Sequence, residues 1–155
     1  MRTTHTEVDL TAYLKEPHKT IYALGVANGL RISDIVSLKK AALKVEKPTI
    51  HEQKTGKSKR LYIPVRVREK LVEFASKSKN EYIFYSDSKS GHISRQAVFK
   101  AIKKASQKAD IKGNIGTHTM RKNYAYKIYK RRNNLQMVQS RLNHERLQDS
   151  LLYLL

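Results

Sequence analysis

Apolar residues recur along this chain in a helical rhythm, interrupted in two places by a shorter, strand-like alternation. In DLTAYLKEPHKTIYALGVANGLRISDIVSLKKAAL, Ile21, Leu24, Gly25 and Asn28 fall on one stripe flanked by Tyr22 and Val26. That spacing predicts a helix, and Asn28-Gly29 is its stop signal. Ile32, Ile35, Val36 and Leu38 predict a second helix beyond the break. The rhythm then shortens in TIHEQKTGKSKRLYIPV, where Thr49–Gln53 and Arg60–Val65 alternate and Gly56 lies between them among lysines. This predicts a β-hairpin over residues 49–65 with a basic tip. REKLVEFASKSK reads as a short helix, and EYIFYS, residues 81–86, as a third strand. In ISRQAVFKAIKKASQKADI the helical rhythm returns with Ser94 as N-cap and Ala97, Val98, Ala101, Ile102 and Ala105 as the buried stripe. After a turn at KGNIG, HTMRKNYAYKIYKRR, LQMVQSRL and the tail HERLQDSLLYLL each predict a helix. In the tail, Leu147, Leu151 and Leu154 are the expected packing residues. The expected fold is α+β, mainly helical with a small antiparallel sheet, in one domain without an internal linker.

Charge changes the picture most. The 155 residues carry 32 Lys+Arg against 13 Asp+Glu, a net charge of +19. Such an excess repels itself in a compact chain and calls for a polyanion. Nucleic acid is the first candidate, through phosphate neutralisation and counterion release. An anionic membrane is disfavoured, because no apolar run approaches the ~18 residues of a spanning helix. The basic residues are also spread from Lys15 to Arg146 rather than gathered on one amphipathic segment. With no cysteine, disulfides and thiolate zinc sites are excluded, which fits a reducing cytoplasm. The first residues, MRTTHTEVDL, have no apolar core of a secretory signal. From charge alone, a basic protein that coats RNA and a DNA-binding protein both remain open.

Four places hold polar residues that packing does not ask for. Arg31 follows Asn28-Gly29-Leu30, with Asp34 three residues on along the same helical face. The pair reads either as a surface salt bridge or as a carboxylate that holds a guanidinium toward a phosphate. His118 and Arg121 stand three apart at a helix start, a place that already favours anions. Lys54 lies at the hairpin tip among Lys57, Lys59 and Arg60, and His144 stands nine residues before Tyr153. As residue types they form a coherent set for phosphodiester chemistry. Two arginines neutralise nonbridging oxygens, a lysine protonates the departing sugar oxygen, a histidine shares a proton, and a tyrosine attacks. The arginines can supply the positive charge that a metal ion gives elsewhere, and the five aspartates are scattered, with no paired-carboxylate metal motif. A free phenol titrates near ~10, so an attacking tyrosine needs a cationic field or a base.

GLRISDIVSL, HEQKTGKSKRLYIPV, HTMRKNYAYKIY and LNHERLQDSLLY, in that order, resemble the catalytic domain of the tyrosine recombinases, the phage and transposon integrases. The resemblance runs from about Thr11 to Tyr153. It implies that Arg31 and Arg121 clamp the phosphate, Lys54 is the hairpin general acid, and His118 is the base or proton shuttle. It also implies that His144 donates to a nonbridging oxygen and that Tyr153 forms a 3′-phosphotyrosyl link with DNA. Asp34 would support Arg31. Asn143 stands where the family usually has glycine, and asparagine is the next-best residue for a left-handed turn. The whole chain, residues 1–155, reads as a single catalytic domain. The family's N-terminal DNA-clamping domain and most of the segment after the tyrosine are absent, as in an excised domain or a short relative.

The expected partner is double-stranded DNA, with a family-type tetramer on two DNA sites and an isolated domain that is free to be monomeric. No cofactor or metal is expected, since the arginines supply the positive charge, and no ATP, because bond energy is kept in the protein–DNA link. Lys57 and Lys59 at the hairpin, and Lys100, Lys103 and Lys104 on the outer face of the helix after Ser94, are the expected phosphate contacts. The rival readings are a DNA-relaxing topoisomerase of the same chemistry and a non-enzymatic DNA-binding module on the same fold.

Overall fold

The computed structural model describes residues 9–111, 113, 116 and 118–154. The turn expected at KGNIG, residues 112–116, lies for the most part outside them. A 3₁₀ turn at Thr11–Tyr13 precedes helix α1, His18–Asn28, with Pro17 at its N-cap. Gly29 ends α1 in the left-handed conformation, φ 67°, its N–H donating to Gly25 O at 2.7 Å. Leu30 and Arg31 then lead into the short α2, Ile32–Val36. Strands β1, Thr49–His51, and β2, Ser58–Arg60, pair antiparallel with Ile50 opposite Lys59. Helices α3, Val65–Lys77, and α4, Arg95–Lys108, follow. The chain continues through α5, Thr119–Arg132, α6, Leu135–Leu142, and α7, Leu147–Tyr153.

The hairpin is shorter than its alternation suggests, for a reason that lies in α1. Asn28 is buried, and its amide donates to Tyr62 O at 2.8 Å while its oxygen accepts from Tyr62 N at 2.8 Å. One side chain thereby does for residue 62 what a neighbouring strand would do. Pro64, without an N–H, then caps α3. The third strand expected over residues 81–86 is not a strand. Only isolated bridges form there, Lys39 with Tyr82 and Tyr85 with His92. Ile83 and Phe84 are both buried, so consecutive side chains are enclosed on opposite sides instead of presenting one face to β1–β2.

Ser94 caps α4 as expected, accepting from Ala97 N at 3.0 Å. Val98, Ile102 and Ala105 of α4 are buried in the main core with Leu24 and Ile35, while Lys100, Lys103 and Lys104 face solvent. Helices α1 and α5 meet where Gly25 has no side chain. A Cβ there would stand 2.3 Å from Met120 Sδ, so the glycine is what lets α5 approach. A smaller cluster, Ala125, Val138, Leu142 and Leu154, holds α5, α6 and the tail together. Only part of the expected tail packing occurs. Leu154 is buried, but Leu147 and Leu151 are 40% and 46% exposed, and Ser150 takes the interior position. There the Ser150 hydroxyl lies within hydrogen-bond distance of His144.

Candidate active site

Arg121 is the centre of the arrangement. It enters from the first turn of α5, 1% exposed, and all three of its nitrogens are engaged. Nη1 donates to Gly29 O at 2.6 Å, which fixes the plane of the guanidinium against the end of α1. Nε donates to the Tyr153 hydroxyl at 3.1 Å, and the guanidinium carbon lies 5.4 Å from the centre of the tyrosine ring. Nη2 lies 3.4 Å from His144 Nε2. Because a guanidinium only donates, His144 Nε2 is the acceptor there, and its Nδ1 carries the proton toward Ser150 Oγ at 2.9 Å. The His144 and Tyr153 rings meet edge to face with centroids 4.9 Å apart. Burial, with the Arg121 charge next, pushes His144 down to about 4, so it is neutral in the free protein.

Beside Arg121 opens a cleft of about 780 Å³, lined by Arg31, Gln53, Lys54, Arg95 and His118 as well as Arg121 itself. Arg31 is held at its rim by the extended backbone between Gly29 and α2. Its carboxylate partner is not Asp34. Arg31 Nη1 lies 3.4 Å from Glu52 Oε1, and the Glu52 side chain is fully enclosed. Asp34 instead accepts from Gln53 N at 3.0 Å, tying the start of the hairpin turn to α2. Burial raises the Asp34 carboxyl above its ordinary range. Lys54 follows in the turn, exposed to the cleft. His118 forms the N-cap position of α5, and burial, then Arg121, lowers its pKa. The structure therefore brings Arg31, Lys54, His118 and Arg121 to one cleft and joins His144 and Tyr153 to it through Arg121.

The lysines expected to meet phosphate divide. Lys100, Lys103 and Lys104 are exposed, Lys103 lying 5.9 Å from the Phe99 ring. Lys57 donates to Asn143 O at 3.3 Å. Lys59 does not face solvent at the tip. It is buried, donates to Arg141 O and lies 5.0 Å from the Tyr124 ring. Burial, with Arg121 next, lowers it to about 8. The strand alternation explains this: Lys59 occupies the inward position of β2 between two exposed residues.

Glu52, Arg95 and Ser150 escaped the sequence reading. Glu52 falls in the stretch 49–53 whose alternation predicts a strand, where an outward carboxylate is ordinary, but it lies just past the end of β1 and is buried. Arg95 is one cation in a very basic chain. Only Ser150 left a trace, a small polar residue among the leucines of the tail.

Comparison with known proteins gives a consistent result. The sequence matches the phage integrase family over residues 3–154. It is 31% identical over 141 residues to a probable integrase/recombinase, YoeC, of Bacillus subtilis, covering 88% of this chain and 77% of that one. It is 29% identical over 140 residues to a tyrosine recombinase of Thermosipho africanus, covering 88% of this chain but 48% of the relative. Among solved structures, the fold is similar to the site-specific recombinase XerH in a post-cleavage complex with a palindromic difH substrate. That similarity has a TM-score of 0.75 at 19% identity, over 96% of this chain and 44% of XerH. The catalytic domain of bacteriophage HP1 integrase aligns with a TM-score of 0.65 at 19% identity, over 93% of this chain and 80% of that domain. The chain thus spans about three quarters of YoeC and less than half of the longer recombinases. A family match running through the hairpin, the α5 arginine and the terminal tyrosine places this chain in the phage integrase family.

Proposed function

We propose that this chain cuts and rejoins DNA strands site-specifically through a covalent tyrosine link, using its own Tyr153. The observation that carries the reading is the single guanidinium of Arg121, which touches both the Tyr153 hydroxyl and His144 at the edge of the cleft lined by Arg31, Lys54 and His118. Contact between Arg121 and the tyrosine of the same chain supports cleavage in cis. With DNA bound, a phosphate takes up the Nε and Nη2 edge of Arg121, while Nη1 stays on Gly29 O and keeps the plane fixed. Arg31 meets the second nonbridging oxygen. The Tyr153 oxygen then attacks phosphorus as His118 takes its proton, and the bond to the 5′ oxygen breaks. Lys54 delivers a proton to that leaving oxygen, giving a free 5′-hydroxyl and a 3′-phosphotyrosine. Attack by the 5′-hydroxyl of a partner strand reverses the steps and releases Tyr153. His144 is neutral until an anion arrives. A phosphate beside it favours its charged form, which donates from Nε2 to a nonbridging oxygen.

Exchange of strands between two duplexes calls for one such site per strand, which supports four chains on two DNA sites. Lys100, Lys103 and Lys104 on α4 are assigned to backbone phosphates. The test uses a pool of nicked duplexes with a randomised core, so that cleavage lets a short fragment diffuse away and traps the adduct. The intact protein is expected to retain label on a denaturing gel. Tyr153→Phe is expected to bind the same pool and retain none, and an adduct persisting in that variant would take the nucleophile role from Tyr153.

A further inference from the structure

The hairpin and the end of α6 are fastened together by bonds that neither packing nor the catalytic reading requires. Lys57 Nζ donates to Asn143 O at 3.3 Å, Lys59 Nζ donates to Arg141 O, and Asn143 Nδ2 donates to Ser58 O at 3.2 Å. Residues 57 to 59 follow directly on the turn that carries Lys54, and residues 141 to 143 directly precede His144. We propose that Lys59 and Asn143 form a latch that sets the distance between the general-acid hairpin and the nucleophile-bearing tail, making both of them positioning residues for strand cleavage. This rests on the reading of Lys54 as the proton donor and Tyr153 as the nucleophile.

Two features mark the latch as built. Asn143 holds the left-handed turn after α6, φ 57°, where glycine would be free of strain. A side chain retained there brings a donor that glycine lacks, and that donor is spent on the hairpin. Lys59 is an ammonium enclosed in the interior against the Tyr124 ring, a placement that costs free energy and that an apolar residue of equal length would avoid. Its ammonium reaches the last turn of α6, whose orphan carbonyls accept a cation well. The α6 end is also held to the rest of the fold by the small cluster of Ala125, Val138, Leu142 and Leu154 and, one residue on, by His144 against Arg121. Breaking the latch leaves each part folded and lets the hairpin drift from the tail.

The general acid offers a selective readout. A leaving oxygen needs a proton, whereas a sulfur in the same bridging position departs as a thiolate and needs none. Lys59→Met and Asn143→Gly are therefore compared with the unchanged protein on nicked duplexes with randomised arms, made with oxygen or with sulfur at the 5′-bridging position. Each variant is expected to form the adduct roughly tenfold to a hundredfold more slowly on the oxygen substrate, the scale of a misplaced catalytic group, and to recover on the sulfur one. Lys54→Ala, which removes the proton donor outright, provides the same pattern as a reference. DNA affinity and melting temperature are expected to stay close to those of the unchanged protein. Asn143→Gly deletes only the bond to Ser58 and keeps the turn, so it stands if Lys59→Met disturbs the interior. Equal slowing on both substrates, or no slowing on oxygen, overturns the latch. If the unchanged protein forms no adduct with either substrate, the cleavage reading itself fails and this inference falls with it.

Discussion

At the scale of single residues, the site is an exercise in placing charge where water is scarce. Arg31 and Glu52 form an ion pair with the carboxylate enclosed, so removing the cation strands the anion. Arg31→Ala is expected to cost about 3 kcal/mol of stability by that argument, besides about a hundredfold in cleavage from the lost transition-state contact. The double variant Arg31→Ala, Glu52→Gln separates the two effects. Urea unfolding should return toward the unchanged protein while cleavage stays slow; recovered cleavage would show that Arg31 matters only as a partner for Glu52. His144 gives a pH signature. It is depressed to about 4 in the folded chain from an ordinary value of 6.5, so between those pH values the unfolded state binds the extra proton. The stability it contributes is complete above pH 6.5 and falls away as the pH drops toward 4, of the order of 2 kcal/mol after allowing for partial solvent contact. His18 and His118 are lowered too and share this sign. His144→Gln should therefore shrink, without abolishing, the drop in urea midpoint between neutral and mildly acid solution. An undiminished drop would mean that the histidine titrates normally.

At the scale of elements, the position of Arg121 depends on how closely α5 lies against the end of α1. Gly29 has φ 67°, and a Cβ there would lie 2.3 Å from the Tyr124 ring. Gly29→Ala is expected to destabilise the fold by about 2–4 kcal/mol, adding overpacking to left-handed strain, and to tilt the carbonyl that anchors Arg121. Thermal unfolding measures the first effect. A melting temperature equal to the unchanged protein's would mean that α1 and α5 can part without cost. The tail behaves differently, since α7 buries little beyond Ser150 and the neighbouring Leu154. Its amides should exchange with solvent earlier than those of α1, because local opening there exposes little apolar surface. Protection of α7 equal to that of α1 would rule out a tail that opens by itself. These elements were legible to different degrees. Ser94 and the α4 stripe could be read because a cap and a periodic face are local. The 81–86 segment read as a strand because nothing local says that its neighbours would be Leu38 and Ile93 instead of the hairpin.

For the whole molecule, the charge of +19 predicts behaviour that no single contact decides. Binding to random duplex DNA should weaken roughly a hundredfold between about 50 and about 200 mM salt if some four phosphates are neutralised. A salt-independent affinity would remove the polyanion reading. The sequence by itself determined the charge, the helical character, the hairpin with its basic turn and the residue types for phosphodiester chemistry, because these depend on composition and on neighbours a few positions apart. Tertiary structure alone decided the partners. Tyr153 meets a guanidinium 32 residues away, Arg31 pairs with Glu52 instead of Asp34, and Lys59 turns inward to hold the end of α6. Such pairings are set by which surfaces pack together after helices and hairpin have formed, and sequence spacing carries no measure of that distance.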